Sequence, residues 1–238
     1  EFATLCMGGF GLGAVVAALI GGHAADAIGR KVVMITSLLG GAAVLVVFGS
    51  LSTRPQMIVA VFVFAVLGEM YRPAAQAMVS DLVSPASRTH AFSLLYVAVN
   101  LGFTISPVLG GRLAQISYQW LFIVEAAAMS SYAVIILLLT RETLPARAKS
   151  ASDPSRDEGH DDRTMTFGEA ARHILKDGKF IAFGFGILLT GMVFMQCMAT
   201  FPLYLSSLGI EEATYVSIVA FNGAMIVLFQ IPLTTVMS

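Results

Sequence analysis

Long apolar runs alternate with short polar gaps along almost the whole chain. A helix needs about 20 residues to cross roughly 30 Å of hydrocarbon, because each residue adds about 1.5 Å of rise. In lipid, every backbone polar group must be paired within its own segment, which favours helices. Seven runs are long enough, and they predict an all-α, polytopic membrane protein with helices over residues 2–22, 32–51, 57–80, 91–113, 120–140, 180–206 and 215–238.

The composition supports placement in a bilayer. The 238 residues are 57% hydrophobic and 12% charged, and the mean hydropathy is +0.81, which is unusual for a water-soluble domain. The net charge of -1 and the scattered basic residues give no reason to expect nucleic acid as a partner. Cys6 and Cys197 lie far apart inside apolar runs, so we expect buried small side chains and no disulfide, metal site or cofactor.

The basic residues predict the orientation of the chain. Three gaps, 23–31, 81–90 and 141–179, hold eleven of the fourteen lysines and arginines. By the positive-inside rule these gaps are cytoplasmic, and residue 1 lies on the outer side. The chain is apolar from Phe2 onward and has no basic leader region, so we expect no secretory signal peptide and a sequence cut from a longer protein.

The longest gap divides the chain. Its first half has mixed charge and cannot bury enough surface to fold, so it predicts a linker. Its second half has a capping box at Thr166 and Glu169 and one apolar face, which indicates a short amphipathic helix on the inner membrane surface. The predicted organisation is a helical bundle over 1–140, a cytoplasmic linker with this helix over 141–179, and the start of a second bundle over 180–238.

The gap between the first two runs concentrates small and charged residues. A glycine at position 22 allows a neighbouring helix to approach closely. Asp26 is placed to cap the next helix or to pair across the bundle, and Gly29 permits the turn. Arg30 and Lys31 hold the loop inside the cell. A basic loop that only obeys the topology rule is the simpler alternative. The pattern consists of Gly22, Asp26, Gly29, Arg30 and Lys31.

This loop resembles motif A, the loop 2-3 signature of the major facilitator superfamily. The sequence departs from that motif at Ala24, where leucine is usual, and at Ala27, where a basic residue is usual. The resemblance implies a cytoplasmic latch formed by the charged residues. The two departures imply a weaker charge relay than in typical members.

The fourth run resembles motif C, the antiporter signature of helix 5 in the same superfamily. Small residues there would let two helices pack closely, and a proline removes a helix hydrogen bond and bends the rod. The motif favours export over import, and the hinge it implies consists of Gly102, Pro107, Gly110 and Gly111. An ordinary proline kink with small packing residues is the alternative.

The third run contains two charges in an apolar setting. Glu69 and Arg72 are three residues apart on one helical face, and each would cost about 2.5 to 3.5 kcal/mol if left alone in lipid. They are therefore expected to pair or to face water. Arg72 is at about the place of the motif B arginine, which the resemblance links to proton coupling. The sequence departs from that motif after the arginine, where it has Pro73 and Gln76. A purely structural ion pair is therefore the alternative interpretation.

The remaining polar residues of the runs are candidates for a substrate cavity. Glu125 lies about one and a half turns from the outer end of the fifth run, and a carboxyl group there can exchange protons if it faces a cavity. The alternative is a carboxylate that simply reaches water. Asn100, Gln196 and Asn222 are suited to line a cavity or to form interhelical hydrogen bonds.

The sixth run extends the resemblance. Gln196, Pro202 and Tyr204 are similar to helix 7 of the drug:proton antiporter branch, in particular its H-type multidrug-resistance members. The resemblance implies helices 2 to 8 of a twelve-helix transporter in a bacterial inner membrane, monomeric at full length. It implies that protons drive the export of small amphipathic or cationic compounds by alternating access.

Other seven-helix proteins fit less well. None of the runs contains a lysine, which a retinal pigment needs for its Schiff base. An intramembrane serine protease would need a Gly-x-Ser-x-Gly box and a histidine within a span. All four histidines lie in gaps: His23, His90, His160 and His173. We therefore expect no enzyme. A symporter of a sugar or another metabolite with the same fold is the main alternative, and a receptor is a further one.

Overall fold

The computed structural model describes residues 2–143, 172, 175–210 and 212–237, and this part of the chain is helical without strands. The predicted all-α class is confirmed. The helices are α1 (Phe2–Ile28), α2 (Arg30–Phe48), α3 (Arg54–Glu69), α4 (Tyr71–Leu82), α5 (Arg88–Ile116), α6 (Tyr118–Leu139), α7 (Gly178–Ala199), α8 (Phe201–Ser207) and α9 (Glu212–Met237), with a 3-10 turn at Pro85–Ser87.

In the part of the chain that the structure describes, six apolar segments are long enough to cross a membrane. They correspond to the first six predicted runs, and the third of them combines α3 and α4. The seventh predicted run lies in α9, whose apolar part is the shorter segment Thr214–Gln230. Most of the predicted linker and amphipathic helix, including Thr166 and Glu169, falls on residues 144–171, 173 and 174 and lies outside the described residues.

Local sequence explains where several helices begin. The helix α6 starts after Ser117, whose hydroxyl accepts a hydrogen bond from the Gln119 N–H at 3.2 Å. The helix α7 starts after Asp177, whose carboxylate accepts from the N–H groups of Lys179 and Phe180 at 2.9 and 3.2 Å. Each side chain satisfies backbone donors that the first helical turn leaves unpaired.

The chain forms two compact units, residues 1–151 with 223–238 and residues 152–222. In the first unit, α2 packs against α1, α3, α4 and α6. The main core cluster lies on these helices and consists of Ala25, Val33, Met34, Leu38, Ala74, Met78, Ala133 and Ile136. In the second unit, the rings of Phe201 and Tyr215 meet edge to face with centroids 6.2 Å apart.

A glycine does allow close helix approach in α1, but at a position other than the predicted one. A Cβ added at Gly21 would lie 2.8 Å from the Met70 carbonyl oxygen, so the backbones meet there. At Gly22, no atom among the described residues lies within 4 Å of that position. Among the described residues, the rotation of α1 points the preceding residue at its neighbour, and the close approach expected at Gly22 stays a prediction.

Candidate functional site

A cavity of about 340 Å³ opens between helices of the first unit. Its walls come from α2, α3, α4 and α6 and from the break between α3 and α4. The residues that line it are Leu38, Phe64, Gly68, Glu69, Tyr71, Arg72, Glu125, Ala128, Met129 and Tyr132. Three of the predicted cavity residues, Glu69, Arg72 and Glu125, therefore share one site.

Glu69 and Arg72 form an ion pair across the break between α3 and α4. Glu69 is the last residue of α3, and Arg72 is the second residue of α4. The Glu69 side chain is 18% exposed and that of Arg72 is 61% exposed. Glu69 is thus held among the helices, whereas Arg72 is largely exposed.

Glu125 adds a second carboxylate to the same cavity. It projects from α6, a helix distant in sequence from the Glu69–Arg72 pair. Among the described residues, no cation forms an ion pair with it. The cavity therefore holds two carboxyl groups and one guanidinium.

Aromatic side chains form much of the remaining wall. The rings of Tyr71 and Tyr132 meet edge to face, with centroids 6.2 Å apart and an angle of 89°. Sequence reasoning missed both tyrosines. A signal was present for Tyr132, because it follows Glu125 by seven residues and so lies on the same face of α6, two turns away. Carboxylates beside aromatic faces are suited to hold an organic cation.

The other predicted cavity residues lie elsewhere. Asn100 is buried in α5, and its side-chain nitrogen donates to the Tyr96 carbonyl of the same helix at 2.8 Å. Gln196 on α7 and Asn222 on α9 are exposed and belong to the second unit. None of the three lines the cavity that holds Glu69. Among the described residues, no group of three or more His, Cys, Asp or Glu side chains is arranged to hold a metal ion.

The predicted loop residues form a charged site at one end of the first unit. Arg30 begins α2, is only 11% exposed, and lies 3.6 Å from Asp26. It also pairs with Asp81 on α4. Asp26 thus pairs with its neighbour one turn away and does not cap α2. Sequence reasoning missed Asp81, which starts the second basic gap and carries no local signal for its partner.

Glu142 caps α2 from a distant part of the chain. Gly29 precedes α2 with a φ of 114° and has no side chain to act as a cap. The Glu142 carboxylate accepts from the N–H groups of Arg30 and Lys31 at 2.9 and 3.1 Å. We call Asp26, Arg30, Asp81 and Glu142 the loop cluster.

The loop cluster joins all three basic gaps, since its members come from residues 23–31, 81–90 and 141–179. The Lys31 ammonium also donates to the carbonyls of Leu137 and Thr140, both at 2.8 Å. These two carbonyls lie at the end of α6, which ties that helix to the start of α2. The three gaps therefore meet at one end of the bundle. Which side of the membrane this end faces stays a prediction.

The predicted hinge in α5 has an open face. Pro107 lies inside α5, as expected. At Gly102 and Gly111, no atom of the described residues lies within 4 Å of an added Cβ, and at Gly110 the nearest is a Leu121 methyl carbon at 3.7 Å. The described residues thus form no backbone-to-backbone contact at these glycines. The hinge role stays a prediction.

Comparison with known proteins gives a consistent family. The family model described as Major Facilitator Superfamily matches residues 1–238. A Na(+), Li(+), K(+)/H(+) antiporter of Planococcus maritimus is 27% identical over 92% of this chain and 57% of its own length. The class H tetracycline resistance protein of Pasteurella multocida is 33% identical over 54% of this chain and 32% of its own length.

A drug-resistance protein is also among the relatives. Multidrug resistance protein 1 of Bacillus subtilis is 25% identical over 56% of this chain and 34% of its own length. An uncharacterized transporter of the same organism, YqjV, is 26% identical over 92% of this chain and 52% of its own length. The chain thus spans about half the length of the relatives that it matches most fully.

Proposed function

Because this chain belongs to the major facilitator superfamily, whose members are membrane transporters, we propose that the protein exports small amphipathic or cationic compounds in exchange for protons. The observation that carries the proposal is the second carboxylate, Glu125, in an aromatic cavity where the only guanidinium among the described residues already pairs with Glu69. A carboxylate without a partner is available to a proton or to a cation in turn. That alternation is what antiport requires.

The size and lining of the cavity favour an organic substrate. Its volume of about 340 Å³ is in the range of pockets that hold small molecules, roughly 300 to 1,000 Å³. Tyr71, Tyr132 and Phe64 offer ring faces, to which cations are attracted. Names of two relatives, a tetracycline resistance protein and a multidrug resistance protein, agree with export of such compounds.

A sugar substrate fits this lining less well. Sugars need many hydrogen-bonding partners, since each buried hydroxyl that stays unpaired costs binding free energy. Among the described residues that line the cavity, the only neutral hydrogen-bonding side chains are those of Tyr71 and Tyr132. The symport of a sugar is therefore the weaker proposal.

A second candidate is the exchange of Na⁺, Li⁺ or K⁺ for protons, as in the name of the Planococcus maritimus relative. Two carboxylates in one cavity favour it, because oxygen ligands suit hard cations. The cavity is much larger than a bare ion and is lined mainly by apolar and aromatic side chains. We therefore place the organic cation first.

Proton movement in liposomes tests the proposal. The full-length protein is reconstituted with a pH-sensitive dye inside, and ethidium, glucose, NaCl, LiCl or KCl is added. We expect ethidium to drive proton movement, and expect Glu125→Gln to reduce its rate at least tenfold, while Glu125→Asp retains part of it. Arg72→Ala should also reduce the rate, because it removes the only guanidinium from two carboxylates.

The arms of this experiment separate the candidates. A response to the inorganic salts alone would favour cation exchange, and a response to glucose alone would favour symport. Normal coupling in both Glu125→Gln and Arg72→Ala would refute the assignment of the site.

A further inference from the structure

The backbone of the third predicted span is interrupted beside the cavity. The helix α3 ends at Glu69 and α4 begins at Tyr71, with Met70 between them. Pro73 follows shortly after and has no N–H to donate to the Glu69 carbonyl. The proline accounts for the missing hydrogen bond at Glu69, but not for the change in the hydrogen bond two residues earlier, between the Tyr71 N–H and the Leu67 carbonyl.

A serine from the neighbouring helix is inserted between the two backbone groups that this hydrogen bond would join. An unbroken α-helix would join the Tyr71 N–H to the Leu67 carbonyl oxygen directly. Instead the hydroxyl of Ser37 on α2 accepts from the Tyr71 N–H at 2.9 Å and donates to the Leu67 carbonyl at 2.6 Å. One side chain thus stands in for one backbone hydrogen bond.

Close packing brings the serine within reach. Ser37 is 3% exposed, so water does not compete for its hydroxyl. One turn along α2, a Cβ added at Gly41 would lie 3.0 Å from the Gly68 Cα, which shows that the two backbones almost touch. A side chain as short as serine reaches the facing backbone only at such a crossing. Side chains inserted in this way are a known cause of helix kinks.

The break between α3 and α4 lies between the two members of the cavity ion pair. Glu69 stands on one side of Met70 and Arg72 on the other, and both line the cavity. Any change in the angle between α3 and α4 therefore moves the carboxylate relative to the guanidinium.

We propose that Ser37 is a positioning residue, whose hydroxyl holds the helix open between Leu67 and Tyr71 and so sets the geometry of Glu69 and Arg72 in the cavity. The consequence for transport rests on the proposed function, whereas the effect on the helix does not. Ser37 itself lies outside the lining of the cavity. Its influence on the substrate is through the backbone.

The expected change in the helix can be measured as a distance. An inserted oxygen keeps the two groups roughly 1 Å farther apart than a direct bond of about 2.9 Å. Across a backbone cylinder roughly 4.6 Å wide, this opens a bend of about 12°. Over the 12 residues of α4, about 18 Å long, removal of the bend would move the far end by about 4 Å.

Pulsed electron paramagnetic resonance on the full-length protein tests this, after the native cysteines are replaced by serine. Spin labels are placed on exposed residues as two pairs, Val59 with Ile123 and Leu82 with Leu138. Each pair relates one end of the interrupted span to α6. We expect at least one of the two distances to shift by about 4 Å when the hydroxyl of residue 37 is removed.

Two matched comparisons isolate the hydroxyl. Ser37→Ala is compared with Ser130→Ala, since the Ser130 hydroxyl donates within its own helix, to the Ala126 carbonyl at 2.8 Å, and to no other described residue. Ser37→Thr is compared with Ser37→Val, which has the same shape without the hydroxyl. The threonine variant should retain the native distances, whereas the valine variant should shift like Ser37→Ala. The second comparison decides the proposal even if Ser37→Ala does not fold.

The rate of transport gives an independent test of the role of Ser37. We expect Ser37→Val to slow substrate-driven proton movement at least fivefold relative to Ser37→Thr. Native distances in the alanine and valine variants would overturn the proposal for Ser37, whatever the transport result. If the unmodified protein moves no protons with any substrate, the proposed function fails, and the distances still decide the role of Ser37.

Discussion

Charged side chains of the first unit gather at two sites, the cavity and the loop cluster, and the two sites differ in how these side chains are paired. In the loop cluster, Arg30 lies between two carboxylates and Glu142 accepts from two backbone N–H groups. In the cavity, the Glu69–Arg72 pair leaves Glu125 without an ionic partner among the described residues. Charges that each have an ionic or hydrogen-bonding partner hold helices in place, while a charge without such a partner is available to bind something else.

The positions of the charges along the helices also differ, even where one helix, α4, supplies both sites. The loop cluster forms at helix ends, where four separate segments meet and unpaired backbone groups need partners. The cavity forms within apolar spans, where a charge is costly unless it has a role. The following predictions test this contrast, beginning with the largest effect.

The largest loss of stability is expected from Arg30→Ala. It leaves Asp81, whose side chain is 26% exposed, without the nearly buried guanidinium, and a partly buried charged group that loses its partner costs about 2 to 3 kcal/mol. Thermal unfolding of the full-length protein measures this. Arg88→Ala is the control, because the exposed Arg88 only donates to the Ser80 carbonyl at 3.0 Å. An equal loss of stability in the control would show that the ion pairs of the loop cluster do not stabilise the bundle.

A smaller loss is expected from Gly21→Ala, which tests the packing behind the cavity. The new methyl group would meet the Met70 backbone, between the two members of the cavity ion pair. Overpacking of this kind costs about 1 to 3 kcal/mol. The matched control is Gly22→Ala, for which space is open and for which we expect a gain of roughly 0.5 to 1 kcal/mol. The same thermal assay would refute the contact if both variants behaved alike.

The cap at the start of α2 should contribute less than Arg30. Glu142→Ala removes the acceptor for the N–H groups of Arg30 and Lys31, and loss of a helix cap costs about 1 kcal/mol. Hydrogen exchange at these two amides should become faster. Glu142→Gln keeps one acceptor oxygen, so its exchange rates should lie between those of the unmodified protein and of Glu142→Ala. Unchanged exchange in Glu142→Ala would mean that another group caps α2.

The smallest effect is expected at the aromatic wall of the cavity. Tyr132→Leu should weaken the binding of ethidium by about 0.5 to 1 kcal/mol, roughly twofold to fivefold, because a cation loses one ring face. Tyr132→Phe keeps the ring and should bind normally. Titration calorimetry measures both. A neutral ligand of similar size should not distinguish the variants, and if it does, the ring acts through shape and not through its attraction for cations.

Much of the cavity was predictable because a charge in an apolar run is conspicuous. Glu69, Arg72 and Glu125 stand out in the sequence for that reason, and the structure places them together. Asn100, Gln196 and Asn222 stand out as well, yet they lie outside the cavity, since an uncharged polar group in a helix can bond to its own backbone or face open space. Asn100 does the former, through the Tyr96 carbonyl.

Other parts of the sites had no local signal. Asp81 and Glu142 are ordinary charged residues at the ends of apolar runs, and nothing near them in sequence identifies Arg30 and the start of α2 as their partners. The choice between Gly21 and Gly22 depends on the rotation of α1, which a run of apolar residues on all sides does not specify.

The sequence by itself determined the first six apolar spans and their approximate bounds, the family resemblance and the residues whose charge is costly in lipid, because these depend on length, composition and local spacing. Only the tertiary structure decided which charges meet, which glycine lies at a helix crossing and that Ser37 enters the backbone of another helix. Those features join residues 30 to more than 100 positions apart. Such contacts depend on how the helices rotate and cross, and that is settled by packing across the whole bundle.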